Sequence, residues 1–148
     1  CNAIAVHEDA FQSKMEFSAA VNCIRVLDVR PGLLIETDRA VSTGLFDLIV
    51  ANDLDWVVAM GVPIGFGGQV FDKTTLARIL AIQQFALANS RSMLIEVDGG
   101  LTIDILPHCL RSGAQLFAGW SIVRSSSIGG LRQNLRNVKS IIEQVTAV

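Results

Sequence analysis

Charge is scarce in this 148-residue chain: Asp, Glu, Lys and Arg make up 18% of it, against 51% hydrophobic residues. That balance argues against a disordered polypeptide, which needs few apolar residues and a large net charge. Basic clusters are missing as well. With 12 Lys and Arg, 14 Asp and Glu and a net charge of -2, no patch is available to neutralise a run of phosphates, so nucleic acid is not the expected partner. No apolar stretch approaches the ~20 residues of a membrane-spanning helix, and no membrane is expected. The opening Cys1-Asn2-Ala3-Ile4 lacks the basic-then-apolar pattern of a secretory leader.

Cysteine is equally sparse. Cys1, Cys23 and Cys109 are odd in number and far apart, which is neither a disulfide framework nor a ligand set. Such usage suits a reducing compartment, the cytoplasm or an organelle matrix or stroma. Cys23 and Cys109 read as small buried hydrophobes. The chain opens on Cys1 in place of Met, as expected of one that begins after a processed or missing segment. Neither C-x-x-C nor H-x-x-x-H spacing occurs, so the sequence by itself supplies no metal site.

What is present is a repeated switch between short apolar runs and longer amphipathic ones. Strand patterns fall at Asn2 to His7, Leu33 to Ile35, Asp55 to Val62, Met93 to Val97 and Leu116 to Val123. Helix patterns fall at Ser13 to Leu27, Arg39 to Leu54 (weakened at Gly44), Thr75 to Ala88 and Ile103 to Ser112, the last shortened by Pro107. Leu76, Ile79, Leu80 and Leu87 are expected on one face of the third helix. Leu131, Leu135, Val138, Ile142 and Val145 trace the buried stripe of a final helix after a Ser125 to Gly130 loop. Strands without polar alternation, each followed by a helix, imply parallel strands buried on both faces. The fold class is therefore α/β: five β/α units in a single domain over residues 1–148.

Three strand ends run into glycine-containing loops: Gly65-Phe66-Gly67-Gly68-Gln69, Asp98-Gly99-Gly100 and Ala118-Gly119-Trp120-Ser121. In a β/α barrel the functional groups gather at the carboxyl ends of the strands, with phosphate near the last two. Glycines there let backbone N–H groups approach an anion. Tight turns explain any one of these loops equally well. Asp98 closes an apolar strand and is a general acid/base, a metal ligand, or a turn aspartate holding the Gly-Gly bend. Glu96, on the same strand face, is a second carboxylate or a bonding partner for a neighbouring strand. His7 ends the first strand and faces the same mouth or is a hydrogen-bonded strand-end histidine. Met60 and Trp56 are core or substrate wall, and Trp120 interrupts a loop where an anion needs room.

Leu54-Asp55-Trp56-Val57-Val58-Ala59-Met60-Gly61-Val62 running into Gly65-Phe66-Gly67-Gly68-Gln69-Val70-Phe71, then Ile95-Glu96-Val97-Asp98-Gly99-Gly100, Ser112-Gly113-Ala114 and Ala118-Gly119, resembles the ribulose-phosphate 3-epimerase family in order and spacing. The resemblance extends over most of the chain from about His7. It implies a (β/α)₈ barrel of which this chain carries strands four to eight, a partial TIM barrel lacking the first three units. It also implies interconversion of ribulose 5-phosphate and xylulose 5-phosphate, through an enediolate held by a divalent metal (Zn, Fe or Mn). Carried over residue by residue, Asp98 is the acid/base and metal ligand. Gly67, Gly68, Gly99, Gly100 and Gly119 line the phosphate site, Met60 is on the pocket wall, and His7 is a strand-four histidine near the site that does not bind metal.

The departures from the family are Ile64 for the usual proline before Gly65, Glu36-Thr37 for a proline-containing turn, and Trp120 where a small residue is usual. The second aspartate and the two metal-binding histidines have no counterpart here. Asp98 alone cannot hold a metal that needs about three or four protein ligands, so the chain by itself is expected to be an incomplete epimerase. The alternative is a non-catalytic phosphate-binding or structural subunit. Five strands cannot close an eight-stranded barrel, and the open edges invite pairing. A missing N-terminal part, a partner chain or a second copy is expected to complete the sheet.

Overall fold

The computed structural model describes residues 1–147. Five strands, β1 (Ala3–His7), β2 (Arg30–Ile35), β3 (Trp56–Met60), β4 (Leu94–Asp98) and β5 (Leu116–Ala118), form one sheet in sequence order. Every neighbouring pair is parallel. The helices between them are α1 (Lys14–Val26), α2 (Thr43–Ala51), α3 (Thr74–Ala88) and α4 (Leu106–Ser112), and β5 is followed by α5 (Trp120–Val123) and α6 (Ile128–Thr146). This is an arc of a (β/α) barrel, with β1 and β5 as its edges.

Alternation along the strands sorts the side chains. Leu33, Ile35, Val57, Ala59, Ile95 and Val97 face the helices and are buried against Phe17, Val21, Leu48, Ile49, Ile79 and Ile82. Each such aliphatic side chain contributes about 1.5–3 kcal/mol when taken out of water. The opposite face carries Leu34, Val58, Met60, Glu96 and Asp98. Although the arc is open, Val58 and Met60 on that face are buried. Part of the cover comes from Trp56, whose ring lies so close over Gly32 that a Cβ there would meet it at 2.4 Å.

Helix starts follow their caps. The Ser13 and Ser42 hydroxyls accept from the Glu16 and Leu45 backbone N–H groups at 3.2 and 3.4 Å. The second helix therefore begins at Thr43 and not at Arg39. Pro107 sits in the first turn of α4, where its missing N–H costs nothing, so the helix starts late at Leu106. The fifth strand stops at Ala118, because Trp120 to Val123 coil into a turn whose end is tied by the Arg124 N–H donating to the Trp120 carbonyl at 2.9 Å. Gly129 and Gly130 belong to α6, capped by the Ser127 hydroxyl, which accepts from the Gly130 N–H at 3.1 Å.

Three burial expectations need correction. In α3 the sheet-facing row is Thr75, Ile79, Ile82 and Ala86, and Leu80 and Leu87 are exposed because they lie off that row. No residue of α6 among those described is fully buried, and Leu131 and Leu135 are exposed, because α6 packs chiefly on α4 and α5. Cys23 is exposed, whereas Cys109 is buried, and burial pushes its thiol up to about 11. In a thiol titration with Ellman's reagent Cys1 and Cys23 are expected to react in the native protein, and Cys109 only after denaturation. Prompt reaction of all three in native buffer would contradict the packing of α4.

Candidate active site

The loops leaving β3, β4 and β5 meet around one cavity of about 670 Å³. Backbone bonds bring them together. The Gly61 N–H donates to the Asp98 carbonyl at 2.6 Å, and the Gly99 N–H donates to the Ala118 carbonyl at 3.4 Å. The Ser121 hydroxyl donates to the Leu101 carbonyl at 2.6 Å. The end of β4 is thus clamped from both sides. The loop after β3 closes on itself, since the Gln69 amide donates to the Pro63 and Phe66 carbonyls at 2.7 and 2.8 Å. Its far end is tied at α3, where the Thr74 hydroxyl and then the Thr74 N–H bond Asp72 and hold that carboxyl below the usual range.

Asp98 is the last residue of β4 and stands level with Met60 on β3 and Ala118 on β5. Its neighbour Val97 is buried on the helix side, so Asp98 faces the other way and lines the cavity. Its carboxylate accepts no hydrogen bond from any described residue, and α4 begins only at Leu106. Asp98 therefore neither caps a helix nor holds the Gly-Gly bend. A carboxylate aimed at a cavity with no internal partner is available to a proton or a ligand.

Glu96, two positions back on the same face, is engaged. Its Oε2 accepts from the Trp56 indole N–H at 3.1 Å, so it bonds the neighbouring strand and is absent from the cavity lining. Burial raises the Glu96 pKa above its ordinary 4.5; the Trp56 bond opposes this and the Asp98 charge adds to it. The folded state thus holds this proton more tightly than the unfolded chain. Its contribution to stability is complete below pH 4.5 and is lost as pH rises through the raised value. Glu96→Gln keeps an acceptor for the indole and removes the charge. Its melting temperature is expected to match wild type in acid and to exceed it increasingly towards neutral pH. A pH-independent difference would contradict that linkage.

Gly67, Gly68, Gly99, Gly100 and Gly119 all border the cavity, with Met60 on its wall. Trp120 and Phe66 also line it, standing 72% and 84% exposed. His7 is not brought to it. At the far edge of the arc, three strands from β4, its Nδ1 lies 3.2 Å from Glu36 Oε1 and 4.0 Å from Asp9. Conversely, Thr102, Ser121 and Arg124 line the cavity and were not singled out by sequence reasoning. The one available signal was a basic residue just beyond the glycine loop of the last unit.

A divalent metal does not fit the residues present. Among the described residues no group of three or more His, Cys, Asp or Glu is placed to hold one. Asp98 offers one ligand, and Glu96 is committed to Trp56.

Residues 1–123 match the model of the ribulose-phosphate 3-epimerase family. A ribulose-phosphate 3-epimerase of Bacillus subtilis (strain 168) is 38% identical over 79 residues, 53% of this chain and 36% of that protein. One from Buchnera aphidicola subsp. Schizaphis graminum (strain Sg) is 28% identical over 134 residues, 87% of this chain and 58% of that protein. The chain thus spans roughly half the length of the curated relatives it matches. Among solved structures, orotidine 5'-monophosphate decarboxylase from Sulfolobus solfataricus is similar in fold, with a TM-score of 0.66 at 17% identity over 99% of this chain and 63% of that one. Because the family match runs through all five strands and both glycine motifs, it is not a likeness of one loop, and the chain belongs to the ribulose-phosphate 3-epimerase family.

Proposed function

We propose that this chain supplies part of a sugar-phosphate 3-epimerase that interconverts ribulose 5-phosphate and xylulose 5-phosphate, with Asp98 as one acid/base group and the glycine loops as the phosphate cradle. The shared cavity carries this: an unpartnered carboxylate and six glycines border the same space of about 670 Å³. Epimerisation removes the C3 proton, acidified by the adjacent carbonyl, and returns one on the opposite face of the enediolate. Asp98 serves one face only. The other carboxylate and the imidazole borne by the strands on this side of the sheet are engaged, Glu96 by Trp56 and His7 by Glu36. A second acid/base group and the divalent metal of the family resemblance must therefore come from other parts of the assembly. A second copy or a partner chain set against the open edges of β1 and β5 would supply them. The reading places the protein in the cytoplasm or an organelle matrix; no described helix is long and apolar enough to cross a membrane.

Trp120 favours a second reading, a phosphate-binding or structural subunit without catalysis, since it puts an indole where the family resemblance calls for a small residue. One experiment separates the two. The protein is incubated at high concentration with ribulose 5-phosphate and a divalent metal in D2O. Deuterium at C3 together with xylulose 5-phosphate is expected of the epimerase. Phosphate binding with no exchange, both for this chain alone and after the units that complete the barrel are supplied, would establish the second reading.

A further inference from the structure

Arg124 is the only lysine or arginine lining the cavity, and it stands one residue beyond the span matched to the family model. Elsewhere the arginines near the fold's core are committed: Arg25 and Arg78 to backbone carbonyls, Arg30 and Arg91 to Asp55 and Asp53. The Arg124 guanidinium has no hydrogen-bond or ion-pair partner among the described residues. Its root is nonetheless fixed. The Arg124 N–H donates to the Trp120 carbonyl at 2.9 Å, and its carbonyl accepts from the Asn134 amide at 3.0 Å. Asp98 is the sole carboxylate bordering the same cavity.

The surroundings say what such a cation is for. Gly99, Gly100 and Gly119 offer backbone N–H groups without side chains, but Trp120 adds bulk at the entrance to the third loop. An anion displaced outward by the indole loses part of the backbone cradle and moves towards the guanidinium that borders the cavity. A planar fork of N–H donors matches two oxygens of a phosphate, and such charge-assisted pairs are stronger than neutral ones.

The geometry points to Arg124 as a phosphate clamp that makes this chain selective for a phosphate monoester over the unphosphorylated sugar. This deepens the sugar-phosphate reading and rests on it. Arg124 binds the phosphate and takes no part in proton transfer, so its loss acts on binding alike in ground and transition states.

The test is a calorimetric titration of the full chain with inorganic phosphate and, separately, with ribulose 5-phosphate. Arg124→Gln is expected to weaken both by about tenfold or more. Arg124→Lys is expected to recover part of the loss, and Arg132→Gln, on exposed α6 away from the cavity, to change nothing. The thermal melt of Arg124→Gln should match wild type, since the side chain holds no other residue. In an active assembly Arg124→Gln raises KM and leaves kcat in place. Binding of phosphate by Arg124→Gln within twofold of wild type overturns the clamp and leaves the epimerase reading standing. Arg124-dependent binding without C3 exchange does the reverse. Wild type that binds neither probe overturns both.

Discussion

Asp98→Asn is expected to lower C3 proton exchange by about a thousandfold, within the usual range for removing a positioned acid/base group, while the melting temperature stays near that of wild type. The two halves follow from different atoms. The carboxylate holds no described residue, so asparagine of the same shape removes no internal bond. The backbone carbonyl of Asp98, which accepts from Gly61 at 2.6 Å, is retained. What disappears is a basic oxygen at the cavity and a negative charge beside Glu96. The second loss gives a signature independent of activity. The Asp98 charge is one of the causes raising the Glu96 pKa, so in Asp98→Asn that pKa moves back towards 4.5, visible by NMR titration. Exchange within tenfold of wild type would remove Asp98 from the chemistry; an unmoved Glu96 would mean that the two carboxylates do not share a face.

The glycine motifs and the apolar strand ends were legible because they depend on local rules: period, β-branching and the need for backbone without side chains. Asp98 was legible by the same route as the end of an apolar run. The fifth strand was overextended because Trp120-Ser121-Ile122-Val123 has strand-like composition. Its helical turn is set by tertiary bonds from Ser121 to Leu101 and from Asn134 to the Val123 and Arg124 carbonyls. His7 was placed near the site because its position on the strand allowed it. Glu36, which engages it from just beyond the end of β2, is remote in sequence. Arg124 had no pattern around it and gained meaning only when the Ala118 to Ser121 loop was seen to turn it towards the cavity. The stripe on α6 reads as buried, yet its Leu131 and Leu135 are exposed because the helix packs chiefly on α4 and α5, which leaves those two side chains largely uncovered.

Two of the glycine loops, Gly65 to Gln69 and Asp98 to Gly100, are expected to respond differently to one added methyl group. Gly100 has φ +65, and a Cβ there would lie 2.7 Å from Val62 Cγ1, 2.9 Å from Phe71 Cα and 3.0 Å from Phe71 N. Val62 can rotate, but the Phe71 backbone cannot yield without moving the loop after β3. Gly100→Ala is therefore expected to cost about 2–4 kcal/mol in strain and overlap, and to weaken phosphate binding as the β4 bend shifts Asp98 and Gly99. Gly67 has no positive φ and nothing within 4 Å of its Cβ position. Gly67→Ala is expected to leave stability within about 0.5 kcal/mol. If the loop cradles an anion, that same open space is where the phosphate comes close to backbone, and a methyl group there obstructs it. Chemical denaturation and phosphate titration of both variants separate packing from binding. Wild-type phosphate affinity in Gly67→Ala would reduce the Gly65 to Gln69 loop to a turn, and wild-type stability in Gly100→Ala would deny that the β4 bend is packed against Phe71. The expected pair, one variant losing binding alone and the other losing fold and binding together, requires a cradle whose inner half is built into the core and whose outer half is left open for a ligand.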